Sequence, residues 1–296
     1  MKNTKNTSFW KIISHIMIPT LLLAVSFRDN LHAQQEPIST MFWNQYSYFN
    51  PAASGLFYKH AGTVTGHDQA NSQDWKNRSA FANYSARIKA LHGGLGIHYI
   101  FNQLIHTNNQ KLMLSYSYHI KLGEKTTLAA GVSAGILNMR LNPNVKLPTQ
   151  MPDPSFPKGK GFIMNSGIIL KTNKLNIGIS ATQVTETPIK RINYTPVRHY
   201  FAVADYAFNI GNNFQLKPQA QLISDAIDHT IAGNLMAIYK EKYWIGASYR
   251  STERFAFMGG WDILGKFRIG YAYETPPAHG FIFKASHEVV LGILLK

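Results

Sequence analysis

Lys111-Leu112-Met113-Leu114-Ser115-Tyr116-Ser117-Tyr118-His119-Ile120-Lys121-Leu122 alternates strictly between two kinds of side chain. Leu112, Leu114, Tyr116, Tyr118, Ile120 and Leu122 form one set; Lys111, Met113, Ser115, Ser117, His119 and Lys121 form the other. Successive side chains of a strand point to opposite faces, so this stretch reads as a strand with one apolar and one largely polar face. Lys266–Glu274 and Lys242–Arg250 repeat the pattern, with Phe267, Ile269, Tyr271 and Tyr273, and Tyr243, Ile245, Ala247 and Tyr249, on their apolar faces.

Soluble antiparallel sandwiches use such strands too, but three features favour a membrane barrel. Tyr and Phe stand at the ends of the apolar faces, as in Tyr99–Phe101, Tyr116–Tyr118 and Tyr271–Tyr273, where interfacial girdles belong. The opposite faces are mostly small, polar or glycine, which suits a lumen better than a second core. The links also alternate in length. Strands are expected at 58–67, 78–88, 93–102, 110–121, 125–137, 160–171, 174–182, 197–209, 213–225, 230–240, 243–251, 255–263, 266–274 and 282–295. Even-numbered links such as Lys89–His92 and Leu264–Gly265 are tight, whereas Asp68–Asn77, Asn138–Gly159 and Gln183–Pro196 are long. Short periplasmic turns and longer outer loops are the asymmetry of outer-membrane barrels. The reading is thus an all-β transmembrane antiparallel barrel of about fourteen strands, twelve being the alternative, with both termini periplasmic.

The rest of the composition agrees. The 296 residues contain no cysteine, 45% hydrophobic residues and only 15% charged ones. No cysteine means no disulfide framework, thiolate metal site or cysteine nucleophile. Lys2, Lys5 and Lys11 precede a mostly apolar stretch from Ile12 to Val25, and Leu31-His32-Ala33 ends in a small residue. That is the pattern of a secretory signal peptide over 1–33. The net charge of +15 therefore does not point to cytoplasmic nucleic acid. The excess is expected on lumen-facing positions such as Lys121, Lys174, Lys217, Lys242 and Arg250. Residues 34–57 form a periplasmic N-terminal segment and 58–296 the barrel. The aromatic-rich stretch Gln35–Gly55 either plugs the lumen, packs at the periplasmic mouth, or forms a first irregular strand. The five prolines of Asn138–Gly159 make that segment a loop, either a passive one or a lid or partner contact.

Catalytic patterns lack their contexts. Gly131-Val132-Ser133-Ala134-Gly135 matches G-x-S-x-G, yet it lies inside a strand instead of a strand–turn–helix elbow, and its glycines are better explained by crowding on the lumen side. His287-Glu288 has Leu291 where a zinc protease needs its second histidine. A lipolytic barrel would need Ser, His and an orienting group together on the outer wall, and nothing in the sequence assembles them. No catalytic residue, cofactor or metal is expected.

Several stretches resemble the PorP/SprF family of outer-membrane proteins of the Bacteroidota type IX secretion system. They are Asn50-Pro51-Ala52-Ala53-Ser54-Gly55, Leu114–Gly123, Arg198-His199-Tyr200-Phe201, Leu216-Lys217-Pro218, Trp244–Ser251, Arg268–Tyr273 and Ser286-His287-Glu288, in the family's order. Ser54 replaces the usual alanine, and Ser39-Thr40-Met41 stands where the family tends to carry Ser-Gln-x-Met. The resemblance implies a non-enzymatic barrel supporting secretion or surface display of specific cargo, such as gliding adhesin-like proteins. It implies as partners the periplasmic ring and motor components, the outer-membrane translocon and cargo bearing a type IX C-terminal signal, beside the lipid bilayer. Asn50, Pro51, Ala52, Gly55, Arg198, His199, Tyr200, Ser286, His287 and Glu288 are the candidate interaction residues. The alternative is a passive channel or carrier for small solutes.

Overall fold

The computed structural model describes residues 36–71, 77–104, 107–141, 158–192, 194–225, 228–277 and 283–296. The expected leader and most of the proline-rich loop lie outside these residues. Among them no helix is long and apolar enough to cross a membrane.

The wall comprises β1 (His60–Asn71), β2 (Asn77–Ile88), β3 (Gly93–Gln103), β4 (Thr107–Lys121), β5 (Thr127–Leu141), β6 (Lys158–Lys171), β7 (Leu175–Thr182) and β8 (His199–Tyr206). It continues through β9 (Phe208–Ile210), β10 (Phe214–Ser224), β11 (His229–Tyr239), β12 (Tyr243–Arg250), β13 (Arg254–Ile263), β14 (Phe267–Glu274) and β15 (Phe283–Leu295). Each pairs antiparallel with its neighbour, and β15 closes the ring on β1, with His60 opposite Leu295. The short β9 pairs with β10 in the register that β8 keeps, so the two are one interrupted strand and the ring has fourteen. The interruption falls where Pro218 of β10, which has no N–H to donate, comes opposite Tyr206.

The alternation fixes which face is which. Leu112, Leu114 (64% exposed), Tyr118 and Ile120 face outward, while Lys111, Met113, Ser115 and Ser117 are buried in the lumen. Exposed aromatics stand near both ends of the strands, Tyr99, Phe162, Tyr200 and Phe255 towards the long loops, and Tyr243, Trp261 and Phe267 towards the tight turns. The tight links at Lys240-Glu241 and Leu264-Gly265 place both central residues at positive φ, the type I′ geometry whose twist matches that of a hairpin.

The lysines do not distribute as expected. Lys121, Lys174 and Lys242 are exposed at the rim of tight turns, and only Lys217 and Arg250 face the lumen, each paired with a buried carboxylate. Strand ends run one or two residues beyond the alternating core, and a parity rule applied there selects a rim and not a face.

A ring of fourteen strands is too wide for its own side chains to fill. Residues 36–57 fill it. They form short helical turns, Phe42–Gln45, Tyr46–Phe49 and Pro51–Ala53, and no first strand. The interior is correspondingly less polar than the sequence implied. Phe42, Tyr46, Tyr48, Phe49 and Leu56 pack on inward-facing Phe81, Ile100, Met113, Ile163 and Phe201, and Met41 packs on Met236, Trp244, Met258 and Val290. Phe49 stacks on Phe201 at 5.2 Å between centroids. Burying each such aromatic contributes about 1.5–3 kcal/mol, so the segment serves as the core of the wall.

The segment also reverses the direction of the chain. The even count brings the wall's two ends, His60 and Leu295, to the rim of tight turns. Glu36, however, bonds Lys111 and Gln183 near the opposite rim, whereas Lys296 bonds Glu241 in a tight turn. The first and last described residues thus lie at opposite ends of the barrel, and the expectation of two termini on one side does not extend to the start of the plug.

Candidate functional site

The site is the contact between plug and wall. Asn50 caps the turn it begins, its Oδ1 accepting from the Ala52 N–H at 3.1 Å, while its Nδ2 donates to the Ile168 and Ile179 carbonyls at 3.3 and 3.1 Å. Ser117 Oγ donates to the Ala52 carbonyl at 2.9 Å. Gly55 adopts φ +66°, and Arg87 donates to the Gly55 and Leu56 carbonyls, both at 2.8 Å. The turn Asn50–Gly55 lies against bare wall. A Cβ at Gly131 would stand 2.4 Å from the Ala52 nitrogen, one at Gly94 2.1 Å from the Ser54 carbonyl oxygen, and one at Gly167 2.3 Å from Asn50 Oδ1. The glycines of the G-x-S-x-G match thus relieve crowding as expected, Gly131 against the plug and Gly135 against the backbone of Leu112 and Met113 in the neighbouring strand. Ser133 itself faces inward, buried, with no hydrogen-bond partner.

The other end of the plug is held by carboxylates. Glu288, 1% exposed, accepts from Ser39 Oγ at 2.7 Å and from the Thr40 and Met41 N–H groups, both at 2.9 Å. Glu274 accepts from Thr40 Oγ1 at 2.9 Å and is flanked by Arg250 and Arg254 at 3.2 and 2.9 Å. Tyr46 donates to Asp205, and Asn234 donates to the Thr40 carbonyl. Arg268 Nη1 donates to Asn44 Oδ1 at 3.0 Å.

Glu36 is the plug's own buried anion. Lys111 Nζ approaches it at 2.5 Å, Tyr48 donates at 2.7 Å, and Gln183 donates as well. Burial pushes this carboxyl up, but Lys111 and then His199 pull it down further, and it is held below its ordinary value of 4.5. Burial and the nearby Glu36 raise the Tyr48 phenol well above its ordinary value, so it remains a donor. A depressed folded value means that this contribution is present above the unfolded value and lost as pH falls through the folded one. Amide hydrogen exchange of residues 36–57, taken relative to the intrinsic rate at each pH, is therefore expected to stay slow from neutral pH down to about the unfolded value and to quicken below it. In Lys111→Met, which leaves the carboxylate buried and unpaired, the quickening should begin at higher pH; an unchanged profile would remove Glu36 as the determinant.

The candidate residues divide by face. Asn50, Pro51, Ala52 and Gly55 belong to the plug, and Glu288 and Ser286 face it, Glu288 bonded and Ser286 buried without a partner. His199 faces the lumen near Glu36. Arg198 holds the preceding loop through the Val184 carbonyl at 2.9 Å and Glu186 at 3.4 Å. Tyr200 and His287 point outward, His287 Nδ1 lying 2.7 Å from Tyr271 Oη. Neither Arg198-His199-Tyr200 nor Ser286-His287-Glu288 acts as a unit, since neighbours in a strand face opposite ways. Glu36, Arg87, Lys111, Glu274 and the wall glycines were not singled out for this role. Their only sequence signal is charge or glycine at inward positions.

Ser115, His98 and Asn83 stand in the order of a nucleophile, base and orienting amide, with His98 Nε2 2.9 Å from Ser115 Oγ and Nδ1 3.0 Å from Asn83 Oδ1. They face inward, however, and Ser54 Oγ lies 2.7 Å from Ser115 Oγ. The constellation is fully buried, and it fastens the plug. Two substitutions separate wall from plug. Leu114→Arg, on the lipid face, is expected to cost about 2–4 kcal/mol in the unfolding of vesicle-inserted protein. Ser115→Arg, which a wet lumen would tolerate, meets packed protein instead and should expose the plug to chymotrypsin while the wall stays folded. Equal effects of both on both readouts would contradict the register.

A closed antiparallel ring of fourteen strands, apolar outside with aromatics at both ends, is a β-barrel of the outer membrane. The chain matches the type IX secretion system membrane protein PorP/SprF family over residues 31–293 and belongs to that family. No curated protein matches it. Among solved structures it is similar in fold to the Acinetobacter baumannii outer membrane protein Omp33, at TM-score 0.51 and 12% identity over 82% of this chain and all of that one. The P. putida toluene transporter TodX aligns at 0.51 and 10% over 85% and 94%, and the CymD monoaromatic hydrocarbon channel at 0.54 and 11% over 84% and 91%. At such identities the likeness is one of fold alone.

Proposed function

We propose that the protein is a non-enzymatic type IX component that supports secretion or surface display of specific cargo, adhesin-like proteins among them, and is anchored to the periplasmic ring. In this reading residues 1–33 are removed as a leader, the plug follows, and the rim of tight turns faces the periplasm. The observation that carries it is the filled lumen. A barrel whose core is its own N-terminal segment serves as a fixed scaffold, with machinery on the turn side and cargo or translocon on the loop side. Family membership supports association with the secretion machinery, and the partners named here are the proposal.

The test is mild-detergent purification from isolated outer membranes with mass spectrometry of the co-purifying proteins, beside a deletion strain scored for surface proteins. Stoichiometric ring or translocon subunits, and loss of a defined cargo on deletion, are expected. A lone barrel after crosslinking, with large stable currents from the wild type in planar bilayers, would replace this reading with that of a solute channel.

A further inference from the structure

At the rim of tight turns the plug leaves a cavity of about 330 Å³, open between Trp43 and the wall of β10–β15. Trp43 meets Trp244 edge-on at 5.9 Å, and Lys217, Lys266, Arg268 and Lys296 also line the cavity. The carboxylates nearby are already engaged, Asp205 by Lys217 at 3.0 Å, Asp262 by Arg268 at 2.6 Å and Glu241 by Lys296 at 3.2 Å. Among the described residues Lys266 has no carboxylate partner. Around the cavity this rim is basic. Of its seven junctions six carry an exposed lysine, Lys89, Lys121, Lys174, Lys242, Lys266 and Lys296, against the exposed acids Glu124 and Glu241. Only the junction at Gly211–Asn213 has none.

We propose that this mouth and its lysine ring receive an acidic polypeptide segment, one carboxylate reaching Lys266 beside the paired indoles. The cavity favours a polypeptide over lipid. Trp43, Trp244, Lys217 and Arg268 lie inside the ring of strands, whereas lipid headgroups surround its outside. Met236, Ile238 and Leu294 line it beside the basic side chains, which suits a chain carrying carboxylates and aliphatic stems. A single-sign ring at the mouth steers an oppositely charged segment towards it, an effect weakened by salt. The inference deepens the proposed function, on which it rests for the side from which the segment arrives.

The probe is a fluorescein-labelled octaglutamate peptide, followed by anisotropy against the full mature chain in phosphatidylcholine nanodiscs. Binding that weakens with salt, falls about tenfold in Lys266→Gln/Lys296→Gln and is unchanged in Lys158→Gln/Lys190→Gln at the other rim is expected. A carbodiimide crosslink from the peptide should map to Lys266 or Lys296. No binding, or equal loss in both double variants, overturns the proposal. So does abolition of binding when phosphatidylglycerol is added to the discs, which would give the lysines to lipid phosphate. All four lysines are exposed, so folding is not at issue, and failure here leaves the cargo phenotype of the deletion strain as a separate measurement of the secretion reading.

Discussion

Replacing Glu288 by alanine is expected to release the plug from a barrel that remains folded. The carboxylate gathers Ser39 Oγ and two backbone N–H groups, with His67 Nδ1 at 3.5 Å, in a site almost without solvent. Removing it leaves several buried donors without an acceptor, and breaking such a buried charged set costs about 3–5 kcal/mol. The wall hydrogen bonds of β14, β15 and β1 do not pass through this side chain, so the loss falls on the plug. The measurement is twofold. Chymotrypsin should cut between Phe42 and Phe49 in the variant and not in the wild type, and planar-bilayer currents should appear where the wild type is silent. Glu288→Gln, which keeps the acceptor oxygen and loses the charge, should fall between them. A resistant, silent Glu288→Ala would mean that the apolar contacts of the aromatic turns hold the plug alone.

Gly131→Val attacks the other end. Its Cβ would stand 2.4 Å from the Ala52 nitrogen and 2.5 Å from the Pro51 carbonyl carbon, backbone atoms that cannot swing aside. Overpacking of this kind costs about 1–3 kcal/mol where neighbours can adjust, and more where they cannot. Turn Asn50–Gly55 should be unable to seat, with the same chymotrypsin sensitivity as the outcome. Gly94→Val should act likewise, since its Cβ meets the Ser54 carbonyl oxygen at 2.1 Å. Gly233→Val is the control, because a Cβ there meets nothing within 4 Å and the wall gains a β-branched residue. If all three variants behave alike, the glycines matter for the wall and not for the plug.

These two sites show why part of the molecule is legible in the sequence and part is not. Glu288 belongs to a stretch that stands out, yet the strand turns its neighbour His287 outward, and the Ser286 hydroxyl, on the same inner face as Glu288, bonds nothing. Gly131 stands out for a motif it does not serve. The match between Asn50–Gly55 and bare wall needs four strands side by side, and no local pattern encodes that adjacency.

The wall is legible in the sequence. Period-two alternation in Lys111–Leu122 and its counterparts dictates strands and their faces, because burial of one face against lipid makes a one-residue slip prohibitive. Tight and long links assign the rims, and Asn50–Gly55 marks a stretch of consequence. What the ring encloses rests on contacts between residues far apart in the chain. Periodicity specifies a strand's faces but not the width of the space they surround, nor which distant segment fills it. The bond from Ser39 to Glu288 joins residues 249 apart in the chain. Such contacts exist because a ring this wide must bury something, and the aromatic turns of residues 36–57 are the part of the chain whose apolar surface the wall had left uncovered.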